Sequence, residues 1–240
     1  METIETSSWE EFERVLEKLI EQNQQKKTES VHHISEFLYR GQANSEWGLQ
    51  TTLDRYCSDP YSVKEYYKSI SIVKSEIETF SGQKWEIPTP WDYNEWLNKN
   101  DFLTEFPAYE YMVYLRHHGF PSPLLDWSRS PYIAAFFAFN DLLAASDKVS
   151  IFVYQEYAHA GKTWCSSDPH IFTRGPLVTS HKRHFLQKAE YSVCVINTPE
   201  QLYTDHGKAF SCSIPGQDVL FKLEIPTSER INPTTLLVVL

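Results

Sequence analysis

The chain reads as an α+β single domain, with helices mainly in its N-terminal half and strands in its C-terminal half. Three observations lead there. Apolar residues recur at helical spacing in several segments before residue 144. Val149–Tyr154, Tyr191–Ile196 and Val219–Ile225 have the β-branched, aromatic and alternating character of strands. No internal repeat or low-complexity linker divides the 240 residues, so helices and strands are expected to share one core.

Taken in order, Ser8 with Glu11 three residues later has the pattern of a capping box. Trp9, Phe12, Leu16, Leu19 and Ile20 then line one helical face, and packing accounts for that helix. Gln22–Ser30 is polar and reads as a loop. Residues 1–30 are thus expected to form a helix and linker ahead of a domain over residues 31–240. Phe37–Gln42 is short and aromatic, a strand entering a turn at Gly41. From Ser62 to Phe80 the pattern is helical, with Tyr66, Ile70, Val73 and Ile77 on one face. Residues 81–106 carry Trp85, Trp91 and Trp96 among prolines and acids and read as an insertion. Ala108–His117 is a further helix, stopped by Gly119 and Pro121. Pro123–Trp127 reads as a buried strand. Ser130 as N-cap and Pro131 at the first helical position start a helix that runs to about Leu143. Leu236–Leu240 is a last strand or a remnant of one.

Composition narrows the function. The chain is 41% hydrophobic and 15% aromatic, as a large globular core requires. A formal charge of -10 disfavours a generic nucleic-acid or membrane binder, because attraction to phosphate needs a positive field. A local basic cleft remains open to it. Cys57, Cys165, Cys194 and Cys212 lie far apart without a CxxC pair, which suits reduced thiols in a cytoplasmic protein better than a zinc site. The acidic start, METIETSSWEEF, lacks the apolar run of a signal peptide. Tyr132–Leu143 is too short to span a bilayer, so no membrane partner is expected.

A few residues have the chemistry of a site. Arg40 ends a strand between Tyr39 and Gly41. A guanidinium there suits bidentate binding of a phosphate, with Gly41 allowing close approach. The competing reading is an arginine held by a buried carboxylate. Asp126-Trp127-Ser128 precedes a helix whose free N–H groups favour an anion. There Ser128 can donate to a ligand and Trp127 can stack on a flat ring, or Asp126 caps the turn and Trp127 fills the core. His117 and His118, beside Gly119, are favoured at a helix end by the dipole, and with Arg116 could line a cleft. Neither this pair nor His32-His33 has the spacing of two metal ligands on one helical face, so no metal is expected. His181-Lys182-Arg183-His184 is the one notable basic run, a solvated loop or a phosphate-positioning one, and it leads to Gln187 and Glu190. GxSxG, P-loop and GxGxxG motifs are missing.

These residues resemble the FRG-domain family over roughly Phe37 to Ile225. The matching pieces are Tyr39-Arg40-Gly41-Gln42, Trp47-Gly48-Leu49 to Leu53 with Arg55, and His118-Gly119-Phe120-Pro121. Leu124-Leu125-Asp126-Trp127-Ser128 and Pro131 to Ala138 complete them. Gln187 and Tyr191 are a weaker match. The order of blocks is similar to that of ADP-ribosyltransferases of the Arg-Ser-Glu kind. That resemblance implies a split antiparallel or mixed β core. It also implies NAD as substrate and transfer to a macromolecular acceptor, RNA or protein. Arg40 would hold the NAD phosphates, Ser128 would steady the nicotinamide side, and Glu190 would be the catalytic carboxylate, with Glu224 as fallback. Gly41, Gln42, His118, Asp126, Trp127 and Gln187 would complete the NAD site. One residue normally separates the (Gln/Glu)-x-Glu pair, and here two separate Gln187 from Glu190. The resemblance further implies a bacterial toxin or anti-phage effector with an antitoxin partner. A non-catalytic nucleotide sensor built on the same cleft is the alternative. A metal-dependent nuclease is a third, and it requires His117, His118, Asp126 and Glu190 to converge.

Overall fold

The computed structural model describes residues 1–89, 92, 94–96, 106–140, 146–159, 168–175, 187–210 and 218–230. Five helices are described in full: α1 (Trp9–Glu29), α2 (Thr52–Tyr56), α3 (Val63–Ser81), α4 (Tyr109–His117) and α5 (Pro131–Asn140). The strands are β1 (Glu2–Glu5), β2 (Leu38–Gln42), β3 (Tyr61–Ser62), β4 (Leu125–Ser128), β5 (Lys148–Gln155), β6 (Pro169–Arg174), β7 (Ala189–Ile196), β8 (Leu202–Tyr203) and β9 (Val219–Pro226). They form one mixed sheet in the order β1-β9-β5-β2-β4-β7-β8-β3, with β6 on β7. Among the described strands only β1 with β9 is parallel. The α+β class and the early placement of the helices agree with the sequence.

Several boundaries differ, each for a physical reason. α1 does not stop before Gln22 but runs through the polar segment to Glu29. Gln, Glu and Lys are good helix formers, and Lys26 and Lys27 complement the C-terminal dipole. Buried Asn23 ties the extension down, donating to Ser35 O at 3.1 Å and accepting from Gln155 Nε2 at 2.6 Å. Ser8 caps α1 as expected, taking the Glu11 N–H at 3.2 Å, whereas the Glu11 carboxylate reaches back to the Ser7 N–H instead. β1 and β6 lack a strong sequence signal: ETIE is half polar, and β6 opens on a proline. α5 begins at Pro131 behind Ser130, and its extension to Leu143 lies outside the described residues. So do Leu236–Leu240, Trp91, Cys165, Cys212 and His181–His184. Cys57 and Cys194 are free thiols.

Strand register divides the core into layers. Phe12, Leu16 and Leu19 of α1 and Ala134, Ala135 and Ala138 of α5 pack on Tyr39, Val149, Ile151, Val153, Leu223 and Ile225. Residues 1–30 therefore share the domain core. Beside them α3 and α4 pack on Tyr191, Val193 and Val195 through Tyr66, Ile70, Tyr111, Met112 and Leu115. The opposite face buries Leu38, Leu125, Trp127, Phe152, Tyr154, Cys194 and Leu220, as alternation along a strand requires. Among the described residues no helix is long and apolar enough to cross a membrane.

Candidate functional site

The two helical layers meet over the seam between β2 and β4, and a cleft of about 420 Å³ opens there. β2 and β4 share a single bridged pair, Tyr39 with Ser128. Beyond it the ladder is not continued, and the Arg40 side chain takes up the slack. Its Nη1 donates to the Asp126 carbonyl at 2.7 Å and also to the Asp126 carboxylate. Arg116, in the last turn of α4, donates through Nη2 to the same carboxylate oxygen, Oδ1. Burial opposes ionisation of Asp126, but the Arg116 and Arg40 guanidiniums outweigh it and hold the carboxyl well below the usual range. The Asp126 side chain is 46% exposed and that of Arg40 17%. The pair faces the cleft and is not a sealed ion pair.

Tyr191 stands opposite Asp126 in the β4–β7 ladder. Its hydroxyl lies 2.9 Å from His117 Nε2. Burial first, and the Asp126 charge second, push the Tyr191 phenol well above its ordinary value, so it stays protonated at neutral pH. Arg116, His117 and Tyr191 line the cleft with Arg40, while Phe137 of α5 forms an apolar wall, 39% exposed.

Gly41 lines the cleft, but the space of its missing side chain is filled by α5, whose Ala134 carbonyl oxygen would sit 1.8 Å from an added Cβ. Gln42 is buried and donates to Gly48 O at 2.9 Å, which holds the following loop. His118 is exposed and stacks on Tyr114 with ring centroids 4.1 Å apart; the neighbouring His117 is the one that enters the cleft. His117 is the last residue of α4, whereas His118 is its C-cap and leaves the regular helix. The Trp127 ring is committed to the opposite face, 5.2 Å from Tyr154, and its Nε1–H donates to Ser192 Oγ at 2.7 Å. Trp127 nevertheless also borders this cleft. Ser128 is buried, donating to Gln187 O at 2.9 Å and accepting from the Ser130 N–H at 3.0 Å, so its hydroxyl braces the corner before α5. Gln187 lines the cleft.

Glu190 occupies an adjacent depression of about 700 Å³ with Arg129, Glu156 and Thr173; Tyr39 borders both. Its carboxylate is 10% exposed and paired with Arg129 Nε, while the Arg129 side chain is 52% exposed. Glu190 pairs with Trp127 across β4–β7, and Arg40 lies one residue beyond the Tyr39–Ser128 bridge. Arg40 and Glu190 thus lie on strands flanking β4, on either side of Trp127. Glu224 lies on β9, two strands beyond β2, with Lys222 at 2.7 Å and Lys148 at 3.4 Å. It borders neither cleft. His118 and Glu190 both lie away from Asp126, so the four-residue convergence of a metal nuclease does not form. Among the described residues no group of three or more His, Cys, Asp or Glu is placed to hold a metal.

Residues 35–147 match the family model of the FRG domain. The match runs from just before β2 to the start of β5 and includes Arg40, Arg116, His117, Asp126 and Ser128. It supports the FRG-domain resemblance for the cleft-forming half of the chain. It ends short of Gln187, Glu190 and Tyr191. No curated protein and no solved structure matches the chain.

Proposed function

We propose that the protein is an NAD-dependent ADP-ribosyltransferase acting on a macromolecular acceptor, protein or RNA. The observation that carries the reading is the placement of Arg40, Ser128 and Glu190 on three adjacent strands, β2, β4 and β7. In this reading Arg40 grips the diphosphate beside the β4–α5 corner, which supplies an entropic gain through positioning. Ser128 keeps that corner closed against Gln187. Glu190 acts once Arg129 swings aside, and the exposure of Arg129 leaves it room to do so. The ribose–nicotinamide C–N bond breaks with its electron pair leaving on nicotinamide. The Glu190 carboxylate stabilises the oxocarbenium character at ribose C1. It also accepts the proton of the acceptor group as that group bonds to C1.

The test is nicotinamide release from NAD with protein extract or RNA added in turn, alongside labelling of the acceptor. Arg40→Ala and Glu190→Gln should each lower the rate on the order of a hundredfold. No release and no labelling with either acceptor overturns the reading. One observation favours a second reading, a nucleotide sensor without turnover: Glu190 is already occupied by Arg129. Thermal stabilisation by NAD with no nicotinamide released would select it.

A further inference from the structure

We infer that Arg116 is a second phosphate-binding residue and that Asp126 is the strut setting it against Arg40, so that the cleft selects a nucleoside diphosphate over a monophosphate. The inference rests on the nucleotide reading of this cleft but not on turnover.

Arg40 comes from β2 and Arg116 from the end of α4, two elements far apart in the chain. Both guanidiniums bond one oxygen, Asp126 Oδ1. Two donors sharing an acceptor are held within about 6 Å of each other, twice a hydrogen-bond length. The oxygens of two linked phosphoryl groups present a comparable spacing, whereas a single phosphoryl group engages one guanidinium fully and the other only in part.

Charge points the same way. Two positive groups against one carboxylate leave a surplus of one positive charge in a protein whose formal charge is -10. A single arginine would already neutralise Asp126. The second brings like charges together at a cost that an arriving anion relieves. The donors also remain in hand. A guanidinium carries five N–H groups, and Arg40 spends Nη1 on Asp126 while its buried Nε has no partner. Arg116, which lines the cleft, meets Asp126 through Nη2 and has further N–H groups beyond that bond. Asp126 contributes by orienting both forks before a ligand arrives, which lowers the ordering cost of binding.

Calorimetric titration of the full chain with AMP, ADP and inorganic pyrophosphate tests this. The wild-type protein should bind ADP and pyrophosphate about tenfold or more tightly than AMP. Arg116→Ala should lower ADP affinity roughly 10- to 100-fold, the worth of a hydrogen-bonded charge, and abolish the preference over AMP. Arg116→Lys, which keeps the charge but not the fork, should recover part of it and serves as the deciding variant if the alanine protein does not fold. Equal binding of ADP and AMP by the wild type overturns the inference. So does an Arg116 variant that loses both ligands equally, the mark of a structural role, or one that retains the preference. Nicotinamide release measured in parallel separates the two claims: an ADP preference lost in Arg116→Ala without any turnover sustains the clamp and removes the transferase reading.

Discussion

Gly41 lies directly beneath Ala134. A Cβ on Gly41 would stand 1.8 Å from the Ala134 carbonyl oxygen and 2.8 Å from the Ala138 nitrogen, both backbone atoms of α5. The helix that walls the cleft therefore rests on the strand that carries Arg40, with no side chain between them. Gly41→Ala must lift α5. We expect destabilisation at or above the usual overpacking cost of about 1–3 kcal/mol, read as a lower denaturation midpoint. Nucleotide affinity should fall with it, because Phe137 and the Ser128 corner move away from Arg40.

Trp127 is held on the far face by Ser192 Oγ, which also lies 2.9 Å from His206 Nε2. Trp127→Phe leaves that buried hydroxyl without its donor and should cost about 1–3 kcal/mol in denaturant unfolding. Nucleotide affinity should change less than twofold. A large loss of affinity at unchanged stability would show that the ring serves the ligand after all.

Phe137 is exposed on the wall of the cleft, where a nucleobase can lie against it. Phe137→Ala should leave the melting temperature nearly unchanged. It should weaken ADP by about 1–3 kcal/mol, the worth of one base–aromatic contact, and leave pyrophosphate binding as it was. Equal weakening of both ligands in calorimetry would place the base elsewhere.

Glu78, near the end of α3, pairs with Lys74 at 2.8 Å and accepts the Trp85 N–H at 2.9 Å. The Lys74 bond first, then the Trp85 N–H, pull its carboxyl down to about 2. A carboxyl depressed in the folded state adds stability above its unfolded value of about 4.3 and loses it as pH falls through the folded one. Glu78→Gln should therefore flatten the dependence of stability on pH between about 5 and 2. A circular-dichroism acid titration that matches wild type in this window would contradict it.

What local chemistry encodes was legible in the chain. Ser8 and Ser130 announced helix starts through their side-chain oxygens, and α1 and α5 begin there; the periodicity from Ser62 announced α3, which Ser62 also caps. The apolar runs of β5, β7 and β9 announced buried strands. Arg40 and the Asp126–Ser128 corner also stood out, because a charged residue against a glycine and a polar triplet before a proline-started helix are local anomalies. Arg116 and His117 carry a weaker local signal. Helical phase was the available signal, since Met112 and Leu115 mark the buried side of α4.

Pairing was the part hidden in the sequence. That Asp126 and Trp127 face opposite ways follows from any strand, but which of them meets Arg40 depends on the Tyr39–Ser128 bridge and on where that ladder ends. The β4–β7 register placed Glu190 opposite Trp127, where Arg129 covers it, and Asp126, expected to complete the NAD site or cap the turn, links two arginines. Element type was set by neighbours a few residues apart along the chain. The cleft was set by contacts between residues as many as 86 apart, such as Arg40 with Asp126, and such distant partners are chosen only when the whole core closes.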